Sequence, residues 1–145
     1  MAAKRTADAV WDGDLLHGNG RVKGTSGGLP EVAVSWSART EAPGGKTSPE
    51  ELLAAAHASC YAMALSATLA RKRTPPERLD VTAKCTFDKV GAGFKVTTME
   101  LTVHGKVPGL QSSAFQETAK EAEAGCPISN AIRNNVEIRL TAILD

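Results

Sequence analysis

From Leu52 to Ala70 the chain carries no aspartate, glutamate, lysine or arginine, and this stretch constrains the fold more than any other. It is delimited like a helix. Ser48 suits the N-cap, Pro49 the first helical position and Glu51 the third, which completes the Ser-x-x-Glu pattern of a capping box. Glu50 and Glu51 favour the positive end of the helix dipole, and Arg71, Lys72 and Arg73 the negative end. Thr74-Pro75-Pro76 stops the helix. The run is long enough to raise a transmembrane reading, but it is mostly alanine and holds His57, Ser59, Ser66 and Thr68. It reads instead as a central helix buried on most sides by protein, with Leu53, Ala56, Cys60, Met63 and Ala67 sharing one stripe. A single sheet covers only part of such a helix, so a further layer is expected, most simply a second subunit.

Strand patterns lie on both sides of it. Asp12-Gly13-Asp14, Gly18-Asn19-Gly20 and Gly27-Gly28 punctuate a turn-rich first third. Val32, Val34 and Trp36 alternate with small residues, which predicts a strand running towards Arg39, followed by a Pro43-Gly44-Gly45 loop. After the helix, Leu79 to Asp88 alternates and Gly91-Ala92-Gly93 makes a hairpin. The return strand changes phase between Val96 and Met99, which predicts a bulge near Thr98. Ser113-x-x-Gln116 predicts a capped second helix ending at Gly125, Cys126-Pro127 opens a short third one, and Val136 to Thr141 alternates as the last strand. These elements predict one α+β domain over residues 1–145, with antiparallel sheet.

The bulk properties narrow the function. At 145 residues the chain is long enough to bury a real core. A net charge of +1 and few aromatics give no footprint for nucleic acid or acidic lipid. Three cysteines are too few and odd in number for a secreted disulfide scaffold, and Met1–Val10 has no apolar segment of the signal-peptide kind. A cytoplasmic protein is expected, where a disulfide is usually transient and chemical.

Cys60 sits in mid-helix, where a small core residue competes with a reactive thiol. Cys126 sits at a helix N-cap, where N–H groups and the dipole favour a thiolate, so local physics alone ranks it the more acidic. Cys85 lies on the apolar face of a strand and reads as core. Arg39 offers a permanent charge that lowers the pKa of a nearby thiol, set against the commoner reading of a solvated arginine. Glu50 is free to orient an arginine through a bidentate pair, because Glu51 already serves the cap. His57, one turn before Cys60, reads as a polar core or interface residue, or as a metal ligand with Cys60 and Cys126.

Three motifs carry a resemblance. Thr47-Ser48-Pro49-Glu50-Glu51-Leu52, Ala55-Ala56-His57-Ala58-Ser59-Cys60 and Ala124-Gly125-Cys126-Pro127-Ile128-Ser129 together resemble the OsmC/Ohr family of thiol peroxidases, over almost the whole chain from Trp11 onward. The histidine, and Ser35-Trp36-Ser37-Ala38-Arg39-Thr40, are more similar to the OsmC branch. Ser48 stands where the family often has asparagine, and either residue caps a helix. The resemblance implies an OsmC-like fold, with antiparallel sheets around long central helices in an intertwined homodimer. It implies reduction of organic hydroperoxides in oxidative or osmotic stress defence, with Cys60 peroxidatic, Cys126 resolving, and Arg39 with Glu50 as the activating pair. It implies no metal or prosthetic group, and a dithiol reductant, in this family usually a dihydrolipoyl protein. Leu53, Met63 and Phe115 are the apolar neighbours expected to favour bulky peroxides.

Helix geometry adds a constraint of its own. Glu50 and Cys60 are separated by a rise of roughly 15 Å on one helix, at about 1.5 Å per residue. Any Glu50 near a Cys60 is therefore expected to come from the partner subunit. The competing readings are a non-catalytic thiol sensor, a zinc-binding module built on His57, Cys60 and Cys126, and a carrier of small apolar ligands.

Overall fold

In the computed structural model, which describes residues 1–145, backbone pairing groups the strands into two three-stranded sheets. The element order is β1 (Ala7–Asp12), β2 (Asn19–Gly24), β3 (Val32–Val34), α1 (Trp36–Thr40), α2 (Pro49–Arg71), β4 (Arg78–Val90), β5 (Gly93–Lys106), α3 (Ser112–Gly125), α4 (Pro127–Ile132) and β6 (Glu137–Leu144). The chain packs as two compact units, Met1–Leu52 and Leu53–Asp145, so the first turn of α2 belongs to the former.

In the first unit, β1, β2 and β3 form an antiparallel meander. Gly20 faces Val34 across it, and a Cβ there would collide with Val34 and the Trp11 ring. The strand expected to reach Arg39 stops at Val34. The alternation there is real, but Ser35 accepts a hydrogen bond from the Ala38 N–H and starts α1 instead. A local side-chain cap thus overrides a short strand pattern. The loop after α1 returns to β3, where Thr47 N–H bonds to the Ala33 carbonyl, and this sets the start of α2 beside the strand.

α2 begins as the sequence predicts. Ser48 Oγ accepts from the Glu51 N–H at 3.1 Å. The Glu51 carboxylate, however, takes the Thr47 hydroxyl, so the capping box is half-built. The face buried within one chain is His57, Tyr61, Leu65 and Leu69, one helical turn apart each time. This is offset from the expected stripe: Cys60 is half-buried, and Met63 is 67% exposed. Both readings follow from a helix that is apolar nearly all round. Hydropathy alone does not rank its faces, and only the packed sheet does.

In the second unit β4 and β5 form the long hairpin. Thr86 pairs with Thr98 and Phe87 with Val96, so the bulge falls where the phase change predicts it. The expectation of a wholly antiparallel sheet is corrected at β6, which runs parallel to β5. The connection through α3 and α4 is a crossover of the kind parallel neighbours require. The expected Ser113 cap is also replaced: α3 starts at Ser112 after an extended Gln111 that makes no side-chain cap bond. Tyr61, Leu65, Leu69, Leu101, Val103, Phe115, Ala119 and Ala122 form the core between α2, the sheet and α3. The Phe115 ring lies over Gly105, so a Cβ at that glycine would overlap it. Gly105→Ala is expected to lower stability by about 1–3 kcal/mol through overpacking, seen as a lower urea midpoint at unchanged slope.

Candidate active site

Two constellations answer to the candidate residues, one in each unit. The first is an ion pair. Arg39 closes α1 and Glu50 opens α2, and their approach follows from the Ser35 and Ser48 caps and the Thr47 bridge to β3. The Arg39 Nε donates to both Glu50 oxygens at 2.9 and 3.1 Å, and Nη2 donates to Oε1 at 2.6 Å. The carboxylate is only 8% exposed and the guanidinium 29%. A two-pronged, mostly sheltered pair of this kind fixes the guanidinium plane. The same guanidinium sits 5.8 Å from the Trp36 ring centroid. Beside it opens a cavity of about 390 Å3, walled by Trp11, Leu15, Val34, Trp36 and Pro49. Its walls are apolar apart from Ser35 and Arg39. Trp11 had no signal in the sequence as a site residue, because it lies on a fully exposed strand pattern remote in sequence from Arg39.

The second constellation is the thiol pair. Cys60 on α2 and Cys126 at the junction of α3 and α4 lie with Sγ atoms 3.5 Å apart, the Cys126 S–H directed at Cys60. Both are free thiols. Their exposures differ. Cys126 is fully buried, whereas Cys60 is half-buried and opens into a groove of about 400 Å3 beside Met63, Ala64, Gly125 and Pro127. The Phe115 expected near the thiol is instead in the core at zero exposure, because it fills the space over Gly105. Cys85 sits half-buried on β4 opposite Met99.

The charge balance at Cys60 is informative. Burial pushes its thiol above the ordinary range, the Ile128 backbone N–H pulls it back, and Cys126 adds a further upward push. The Ile128 N–H is available for a structural reason. Cys126 is the N-cap of α4 and makes no side-chain cap bond, so the donor that a serine or aspartate would take is left free to act on the Cys60 thiol. Sequence reasoning placed the helix start at Cys126 but assigned its N–H groups to Cys126 itself.

Other buried polar groups hold the frame. The Tyr61 hydroxyl donates to the Ala119 carbonyl at 3.0 Å, linking α2 to α3, and burial pushes its pKa up. Arg133 at the end of α4 binds Glu123 of α3 at 2.8 Å. His57 is fully buried, its Nε2 2.7 Å from Ser129 Oγ, and burial lowers its pKa, which favours the neutral ring. His57, Cys60 and Cys126 do not converge as a metal-holding cluster.

A partly accessible thiol facing a buried one, on packed helices of an α+β unit, is an arrangement in which thiol–disulfide chemistry is geometrically feasible. The chain belongs to the OsmC-like protein family, whose profile matches residues 42–141. It is 38% identical to peroxiredoxin OsmC of Escherichia coli K12, across 95% of this chain and 96% of that protein. It is 32% identical to the organic hydroperoxide resistance protein of Xanthomonas axonopodis pv. citri, across 69% of each. Among solved structures it resembles an organic hydroperoxide resistance protein OsmC from Legionella pneumophila, with TM-score 0.75, 27% identity and coverage of 98% and 99%.

Proposed function

We propose that Cys60 reduces organic hydroperoxides and that Cys126 resolves the oxidised product. By family the chain is a cysteine-based peroxidase of hydroperoxide stress defence. The observation that carries the residue assignment is the 3.5 Å thiol pair of unequal exposure. A peroxide entering the groove meets Cys60, whereas Cys126 is fully buried and presents no surface to it. The local preference for Cys126 as nucleophile therefore yields to access.

The chemistry balances in three steps. The Cys60 thiolate attacks one peroxide oxygen, the O–O bond breaks, and the leaving alkoxide takes a proton to become the alcohol. Cys60 is then a sulfenic acid. Cys126 forms the S–S bond as the S–O bond breaks, and the hydroxyl leaves with the Cys126 proton as water. An external dithiol, in our reading that of a dihydrolipoyl protein, reduces the disulfide by exchange. The cycle suits the cytoplasm, where dithiols are kept reduced.

The first step needs a thiolate, yet burial holds Cys60 high in the isolated chain. We assign its activation to the Arg39–Glu50 pair of a second copy of the chain. The ten positions between Glu50 and Cys60 in α2, a rise of roughly 15 Å for helical residues, support this reading. The apolar side of α2 left uncovered in one chain, Met63 included, fits a homodimer. In that dimer the cavity beside Arg39 would take the apolar part of the peroxide. The test is peroxide consumption by purified protein with a dithiol. Turnover of cumene or fatty-acid hydroperoxide well above that of hydrogen peroxide is expected, and a single stoichiometric oxidation without turnover would instead identify a sensor.

A further inference from the structure

Neither His57 nor Ser129 takes part in the steps above, yet both are fully buried and bonded to each other at 2.7 Å. Packing alone does not call for a histidine here. Its Nδ1 has no hydrogen-bond partner, and a buried unpaired polar atom is costly. The one bond it makes is placed with respect to the thiols. His57 precedes Cys60 by one turn on α2, and Ser129 follows Cys126 by one turn on α4. The bond therefore ties the two cysteine-bearing helices together beside the reacting sulfurs.

Beside the apolar packing of Ile128 on the core and the thiol pair itself, two polar interactions act between the first turn of α4 and α2. One is the Ile128 N–H on the Cys60 sulfur, which changes whenever that sulfur is oxidised. The other, His57 to Ser129, contains no sulfur, so oxidation of Cys60 changes neither its donor nor its acceptor. The far end of α4 is tied to α3 by Arg133 and Glu123, not to α2. We propose that the His57–Ser129 hydrogen bond is a latch that keeps Cys126 within disulfide reach of Cys60 after Cys60 has been oxidised. This rests on the two-cysteine cycle proposed above. Closing the disulfide shortens 3.5 Å to a bonded S–S distance, a movement of roughly 1.5 Å. With the latch in place a small tilt of α4 suffices. Without it the first turn of α4 has no sulfur-independent hydrogen bond to α2, only non-directional apolar packing, and Cys126 spends less of its time in range. His57 and Ser129 are thus positioning residues for the resolving step.

The test reads the disulfide directly. In dithiothreitol redox buffers, Ser129→Ala and His57→Leu are each expected to lower the equilibrium constant of the Cys60–Cys126 disulfide about tenfold, the scale of one lost buried hydrogen bond. The double variant is expected to lose no more than the weaker single variant, since both remove one interaction. His57→Gln, which keeps an amide nitrogen near the Nε2 position, is expected to recover most of the loss. Under excess cumene hydroperoxide, Ser129→Ala is expected to accumulate Cys60 sulfinic acid faster than wild type. Near-UV circular dichroism checks folding, and Ser129→Ala alone decides the question where His57→Leu does not fold. An unchanged disulfide equilibrium in Ser129→Ala, or additive losses in the double variant, overturns the latch. The buffer equilibrium uses no peroxide, so a chain without peroxidase turnover leaves this readout intact and separates failure of the cycle from failure of the latch.

Discussion

Cys60→Ser is expected to lose at least about a thousandfold in organic hydroperoxide turnover, the scale seen when a nucleophile is removed. A serine hydroxyl stays protonated where a thiol can ionise, and the thiol beside it is buried. Cys126 cannot take over, because it is fully buried and faces Cys60. Cys126→Ser gives a different pattern: one rapid oxidation per chain, then a stall with a protein dithiol as reductant. Under excess peroxide its Cys60 passes from sulfenic to sulfinic acid, since nothing closes the disulfide. Peroxide consumption and the intact mass of each variant measure both outcomes. Full turnover in Cys60→Ser with none in Cys126→Ser would reverse the two roles.

The second large effect concerns the site proposed to be shared between two chains. Arg39→Ala is expected to slow Cys60 oxidation about a hundredfold near neutral pH, by removing the cation that favours the thiolate. The pH at which the rate reaches half its maximum should rise as well. Glu50→Ala should act in the same direction but less, because the guanidinium remains and only its bidentate anchor is lost. Mixing is the stronger test. When Arg39→Ala and Cys60→Ser chains are unfolded and refolded together, half of the dimers are expected to contain one of each. If Arg39 serves the partner's Cys60, each mixed dimer regains one intact site, and activity returns to about a quarter of wild type. If Arg39 serves its own chain, every site in the mixture lacks one group and no activity returns.

Much of this site was legible in residue types and caps. Ser48-Pro49 announced the start of α2 and Cys126-Pro127 that of α4, because capping is chemistry between neighbours in sequence. The family resemblance, not the residues themselves, implied Arg39 and Glu50 as a pair, and they do form one, held by two short-range caps and one bridge to β3. The phase change in β5 marked its bulge, since a strand's period is two and a slip shows at once. What failed were the choices that a pattern leaves degenerate. The alternation at Val32–Trp36 fits a strand as well as a capped turn, and Ser113 fits a cap as well as an interior helix position. The direction of β6 is absent from its own residues, because alternation is the same in a parallel and an antiparallel strand.

The long uncharged helix shows the same division. Its existence, its two ends and its need for cover on several sides were set by the sequence alone, because helix caps, charges and hydropathy are properties of the segment itself. Which side it buries was not. A segment apolar nearly all round can present any face, and the sheet and α3 select His57, Tyr61, Leu65 and Leu69. That selection leaves Cys60 at the edge of the packed face, open to a groove, and brings Cys126 under it. It also turns His57 towards Ser129 and sets the start of α4, with its free Ile128 N–H, beside the Cys60 thiol. Each of these joins residues far apart in sequence, and such contacts are decided only when the chain closes on itself.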